Sequence, residues 1–119
     1  MNQFLEKYPD EDEVFAIDFG RRLAAGVTLV GTPEVSVSTA MPGGTDVVVA
    51  SPAFNTEALD LGGVVPARPG TVLLLRLSGG EAQLRIGYRD YVVTASVVTS
   101  IGGQRLVARC PLRVLKAAA

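Results

Sequence analysis

Histidine and tryptophan are absent from this 119-residue chain, and cysteine occurs once, at Cys110. A lone cysteine closes no intramolecular disulfide, and without histidine no Cys/His zinc site can be assembled. The common nucleophilic triads lose their base for the same reason. Lysine occurs only at Lys7 and Lys116. No run of 18 apolar residues exists, so no membrane-spanning helix is expected. Met1–Lys7 carries neither a basic n-region nor an apolar h-region, so a secretory signal is not expected there. Long Ala/Glu/Lys/Leu tracts are missing too, which removes the usual material of extended helices.

What is present favours strands and turns. Hydrophobic residues make up 48% of the chain and charged ones 19%, enough to build one real core and too apolar for general disorder. The length suits one domain. Val and Leu dominate the apolar set, with Gly, Pro and Thr abundant. Cys110 alternates with Leu106, Ala108, Leu112 and Val114, the pattern of a small buried hydrophobe.

Period-two alternation places the strands. Residues 1–13 are polar and acidic, ending in Pro9-Asp10-Glu11-Asp12-Glu13, and are expected to form an irregular N-terminal arm before a domain over 14–119. Val14–Phe19 is a short strand, followed by a turn or single helical turn closed at Gly26. Val27–Val30 and Glu34–Ser38 alternate, and Thr32-Pro33 between them predicts one bent strand or two short ones. Met41–Gly44 is a turn and Val47–Val49 a strand core. Phe54, Leu59 and Leu61 suggest one weak strand, and Pro66–Gly70 a rigid turn. Thr71–Leu77 is a strand with Leu73, Leu75 and Leu77 on one face. Tyr91–Thr99 is another, with Tyr91, Val93, Ala95 and Val97 inward. Ile101–Gln104 closes a hairpin. In the last strand, Arg105–Leu115, the residues 106, 108, 110, 112 and 114 face in and Arg105, Arg109 and Arg113 face out. Pro111 predicts an edge or a bulge there. About seven strands at this spacing predict an all-β antiparallel sandwich.

Leu77-Ser78-Gly79-Gly80-Glu81-Ala82-Gln83 resembles the signature loop of ABC-transporter ATPases. That loop acts only beside a P-loop, whose lysine pairs with phosphate and whose hydroxyl holds magnesium. Neither lysine here follows a glycine, and no apolar strand ends in Asp-Glu. The stretch therefore reads as a tight turn, with the glycines supplying positive φ. Residues 81–90 are then an extended loop or short extra strand, with Ala82, Leu84 and Ile86 on one side. Asp18, Asp46, Asp60 and Asp90 show no paired-carboxylate spacing, and no GxGxxG or GxSxG occurs. No catalytic residue, cofactor or metal site is expected; the carboxylates at 10–13 lack EF-hand spacing.

Charge is unevenly divided. Residues 1–60 hold ten acidic and three basic side chains, and residues 61–119 hold two and eight. Dispersed arginines with only Tyr88 and Tyr91 beside them do not make a nucleic-acid site. Oppositely charged faces suit subunits packed head to tail. The arginine row Arg105, Arg109 and Arg113 is the candidate contact stripe, and the acidic run Asp10, Glu11, Asp12 and Glu13 its candidate complement, ordering on assembly.

Leu77-Ser78-Gly79-Gly80, Gly87, Tyr91-x-Val93, Val97-x-Thr99-x-x-Gly102 and Leu112-x-Val114 resemble, in order and spacing, small virion proteins of tailed phages. Asp10–Asp18 followed by Phe19, Leu23, Gly26 and Thr28-Leu29 is similar to the opening of the same group. Phe19 stands where that group shows tryptophan, Val27 where an aspartate is common, and the 81–90 loop is longer. The resemblance implies an immunoglobulin-like sandwich serving as a fibre–tail adaptor or head–tail connection protein. It would be a non-enzymatic part of the virion's tail or neck, made in the host cytoplasm, whose partners are other virion proteins and copies of itself in a ring. A carbohydrate- or surface-binding immunoglobulin-like module is the competing class, though such sites usually present exposed aromatic platforms.

Overall fold

The computed structural model describes residues 5–9, 11–39, 46–83 and 85–116. Seven strands form two sheets: β1 (Leu5–Lys7), β2 (Glu13–Asp18), β3 (Leu29–Thr39), β4 (Val47–Phe54), β5 (Val72–Gly79), β6 (Tyr88–Thr99) and β7 (Arg105–Leu115). One sheet has the order β1-β7-β6-β3 and the other β2-β5-β4. The fold is an all-β sandwich. A single 3-10 turn, Gly20–Arg22, follows β2 and supplies the turn expected before Gly26.

Alternation becomes burial because successive side chains in a strand point to opposite faces. Tyr91, Val93, Ala95 and Val97 of β6 are buried, as are Cys110, Leu112 and Val114 of β7, and they meet Leu73, Leu75 and Leu77 of β5 with Ile17 and Phe19. Each fully buried Leu or Val in this layer contributes about 1.5–3 kcal/mol relative to exposure. Cys110 lies inside, as its spacing implies. Leu106 and Ala108 pack against the core while only partly buried.

The predicted bend at Thr32-Pro33 is a register shift between Val30 and Glu34 in the pairing of β3 with β6. The hairpin between β6 and β7 closes where expected, with Gln104 N–H donating to the Ile101 carbonyl at 3.1 Å. Gly79 and Gly80 have φ of 74° and 88°. A Cβ on Gly79 would stand 2.8 Å from the Asp46 carbonyl oxygen, and one on Gly80 would stand 2.9 Å from Val114 Cγ2. The signature-like word is thus a backbone requirement of the β5 exit.

Four expectations need correction. Residues 1–13 are not irregular throughout: Leu5–Lys7 pair in parallel with Leu112–Val114, and Glu13 already belongs to β2. Leu5 is buried, and so is Lys7, whose Nζ donates to the carbonyls of Tyr8 and Gly79 at 2.6 Å each. Phe54, Leu59 and Leu61 do not share a strand: Phe54 ends β4, Leu59 makes an isolated bridge with Ala67, and Leu61 is exposed. Tyr88–Asp90 of the expected 81–90 loop already belong to β6; before them Ala82 is buried and Ile86 exposed, so the two do not share a buried side, and Leu84 lies outside the described residues. Gln83 folds the loop instead, its side-chain oxygen accepting from the N–H groups of Arg85 and Ile86. Finally, Ser78 and Gly79 pair with Val48 and Val47 within β5, so the expected turn is instead the end of that strand. The edge expected at Pro111 is present among the described residues. β6 flanks β7 throughout, while β1 covers 112–114 and stops one residue past the proline. The turn expected at Met41–Gly44 lies outside the described residues.

Candidate functional site

The β1-β7-β6-β3 sheet presents its outer face as cross-strand rows. Ser36, Thr94 and Arg109 form one row, and Glu34, Ser96 and Val107 the next. Val92 and Pro111 follow, then Asp90 and Arg113 with Glu6 of β1 alongside. The three arginines predicted from sequence are therefore on one face, as their spacing of four in a strand demands.

Their partners differ. Arg113 makes a forked pair with Asp90, at 2.8 Å from Nε and 3.1 Å from the second nitrogen. Its guanidinium also lies 3.8 Å from the centre of the Tyr88 ring. The Asp90 hydrogen bond raises the Arg113 pKa above its ordinary value, against a smaller lowering by desolvation. Arg105 donates to Ser96 Oγ at 2.7 Å and stands 3.8 Å from the Glu34 carboxylate. Both groups of that pair are well exposed, so the pair itself adds little stability. Arg109 makes no ion pair among the described residues. The stripe is thus one outward cation flanked by two that are engaged within the chain.

The acidic run divides differently. Asp10 lies outside the described residues. Glu11 accepts the Tyr8 N–H at 2.6 Å and so closes the turn after β1. Asp12 pairs with Arg76 at 3.3 Å, on the β2-β5-β4 sheet. Glu13 stands opposite Leu77 in β2. Among the described residues no ion pair joins Glu11, Asp12 or Glu13 to the arginine row; Asp12 and Glu13 turn to the opposite sheet.

Depressions lie beside the 3-10 turn. One, about 140 Å³, lies between the end of β2 and the uncovered half of β7 and is lined by Ile17, Phe19, Arg22 and Cys110 among others. Its volume is below that of ordinary small-molecule sites. Arg22 donates to the Val107 carbonyl at 2.8 Å and covers part of the β7 edge. Another, about 460 Å³, opens between Arg21 and the tip of the 61–67 loop, where Val64 and Val65 are fully and largely exposed. Among the described residues no cluster of three His, Cys, Asp or Glu has metal-binding geometry.

Sequence reasoning missed the buried polar groups that hold this surface in shape. Asn55 Oδ1 accepts from the N–H groups of Thr71 and Val72, and its Nδ2 donates to the carbonyls of Glu57 and Arg68. One side chain thereby closes the long 55–70 excursion onto β5. Buried Arg89 donates from Nε to the Glu81 carbonyl at 2.9 Å. An asparagine ending an apolar run was the only available sign of the first, and nothing local signalled the second. Comparison with protein-family models, curated proteins and solved structures finds no match to this chain.

Proposed function

We propose that the chain is a non-enzymatic structural protein of a tailed-bacteriophage virion, joining tail or neck to fibre components as an adaptor. The observation that carries this reading is the strand order. The β2-β5-β4 sheet facing β7-β6-β3 has the order B-E-D facing G-F-C of an immunoglobulin-type sandwich, with β1 added beside β7. Tyr91, near the start of the strand in the F place, accepts the Glu81 N–H at 3.2 Å, as a tyrosine corner does. Val93, two residues on, is fully buried in the position of that fold's second cysteine. This order supports the immunoglobulin-like sandwich that the resemblance of residues 77–114 to virion proteins implies. Its working parts are faces, edges and loops, and the outward Arg109 and the exposed 61–67 tip offer contacts to neighbouring subunits.

The test is direct. Purified particles of the phage that encodes the chain are analysed by mass spectrometry and by antibody labelling in the electron microscope. The chain is expected at a constant copy number, with label at the tail or neck. Particles that lack the chain would overturn the proposal.

A further inference from the structure

Among the described residues β1, β3, β2 and β4 bound the two sheets, β7 is open beside β1, and these edges are unequally protected against pairing with another chain. β4 is broken by a register shift between Ala50 and Ala53, with Ser51 at a φ of 52° and Pro52 beside it. β7 carries Pro111, and Arg22 occupies its Val107 carbonyl. β1 is three residues long and β2 six. β3 differs from all of these. Its first half is bulged, around Gly31 and Pro33, but from Glu34 to Thr39 it runs in unbroken register against β6. Among the described residues its other side is the outer boundary of the sheet. That half contains no proline, glycine or lysine, the residues that blunt natural edges.

We propose that the Glu34–Ser38 edge pairs antiparallel with the same edge of a second copy, joining two four-stranded sheets across a two-fold axis at Ser36. The inference goes beyond the virion reading and does not depend on it. The stretch Glu34-Val35-Ser36-Val37-Ser38 is self-complementary about its middle residue. Centring on Ser36 sets Val35 opposite Val37 twice, Glu34 opposite Ser38 twice, and Ser36 opposite itself. Residues opposite one another point to the same face, so the inward valines meet valines and the outward hydroxyls meet polar groups. Centring on Val37 instead would leave a single Val–Val pair and set Val35 against Thr39, which weakens the cross-strand packing. Val35 and Val37 are only half-buried in the single chain, already packed against the core, and gain cover from the second copy. The sole charge in the stretch, Glu34, stands 3.8 Å from Arg105 and meets a serine rather than another carboxylate. An isologous contact of this kind closes at two copies. With one short strand on each side it belongs to the small, weak class of interfaces.

Sedimentation equilibrium over the micromolar to millimolar range tests the contact. The mass of the wild type should rise with concentration from 12.4 kDa toward twice that value, while Ser36→Lys, which sets two ammonium groups against each other, should remain at the monomer mass with an unchanged circular dichroism spectrum. Mild oxidation tests the register. Paired Cα atoms lie about 4.5–5.5 Å apart, within disulfide reach, so Ser36→Cys should cross-link. Ser38→Cys should not, because its two copies would be four residues out of register. Buried Cys110 leaves the wild type as an uncross-linked control. A wild type that stays monomeric, a Ser36→Lys variant that associates as the wild type does, or a Ser36→Cys variant that fails to cross-link would each overturn the proposal. None of these outcomes bears on the virion role, which is tested on particles.

Discussion

Asn55 shows how much one buried amide can organise. Four hydrogen bonds leave its side chain, two of them from backbone N–H groups at the start of β5. Asn55→Ala leaves those N–H groups without an acceptor in a buried setting, which should cost about 2–4 kcal/mol. Urea denaturation of the variant measures this, and an unchanged midpoint would refute the role. Tyr91→Phe removes the acceptor of the Glu81 N–H at a partly buried site and keeps the ring in the core. A loss of about 1 kcal/mol is expected, read as a lower thermal midpoint with the same native spectrum. Neither bond was legible beforehand. Tyr91 was recognisable as an inward position on β6, because alternation is local. The reach of its hydroxyl to a residue ten positions back depends on how the 81–90 loop folds.

At the scale of the strands, the alternation in β6 and β7 was read correctly because both run long and unbroken, against each other over 11 paired positions. Val93 lies at the centre, between Val37 and Cys110 in neighbouring strands, with no exposed surface. Val93→Asp buries a carboxylate there at a cost of several kcal/mol. Whole domains are stable by only about 5–15 kcal/mol, so loss of folding is expected. A soluble variant with the wild-type circular dichroism spectrum would contradict the face assignment. Where an element is short or broken, the same logic fails. Three residues of β1 cannot show a period, and the parallel pairing of Leu5–Lys7 with β7 joins positions more than a hundred residues apart. The bulge in β4 reverses its alternation midway, which is why Phe54 read as the start of a later strand.

For the molecule as a whole, the question is which surfaces remain for partners. The chain divides its charges by sheet: Asp12 is engaged by Arg76 on one, and Arg113 by Asp90 on the other. Arg109 is left as the outward cation of the row. Arg109→Glu should therefore leave the thermal midpoint nearly unchanged, within about 0.5 kcal/mol as exposed substitutions usually are. It should also lower incorporation of the chain into particles. Wild-type incorporation measured by quantitative mass spectrometry would remove Arg109 from the contact surface.

Period-two hydrophobicity by itself determined that this chain is a stack of strands and which side chains turn inward, and the paired glycines at 79 and 80 marked where β5 ends. Each of these follows from the geometry of a few adjacent residues. The tertiary structure alone decided that β3 is a sheet boundary, that β1 lies beside β7, that Lys7 and Asn55 are buried, and that two of three outward arginines are occupied. Strand order and hydrogen-bond partners are set by closing long segments of chain on one another, and local periodicity carries no record of which segments meet.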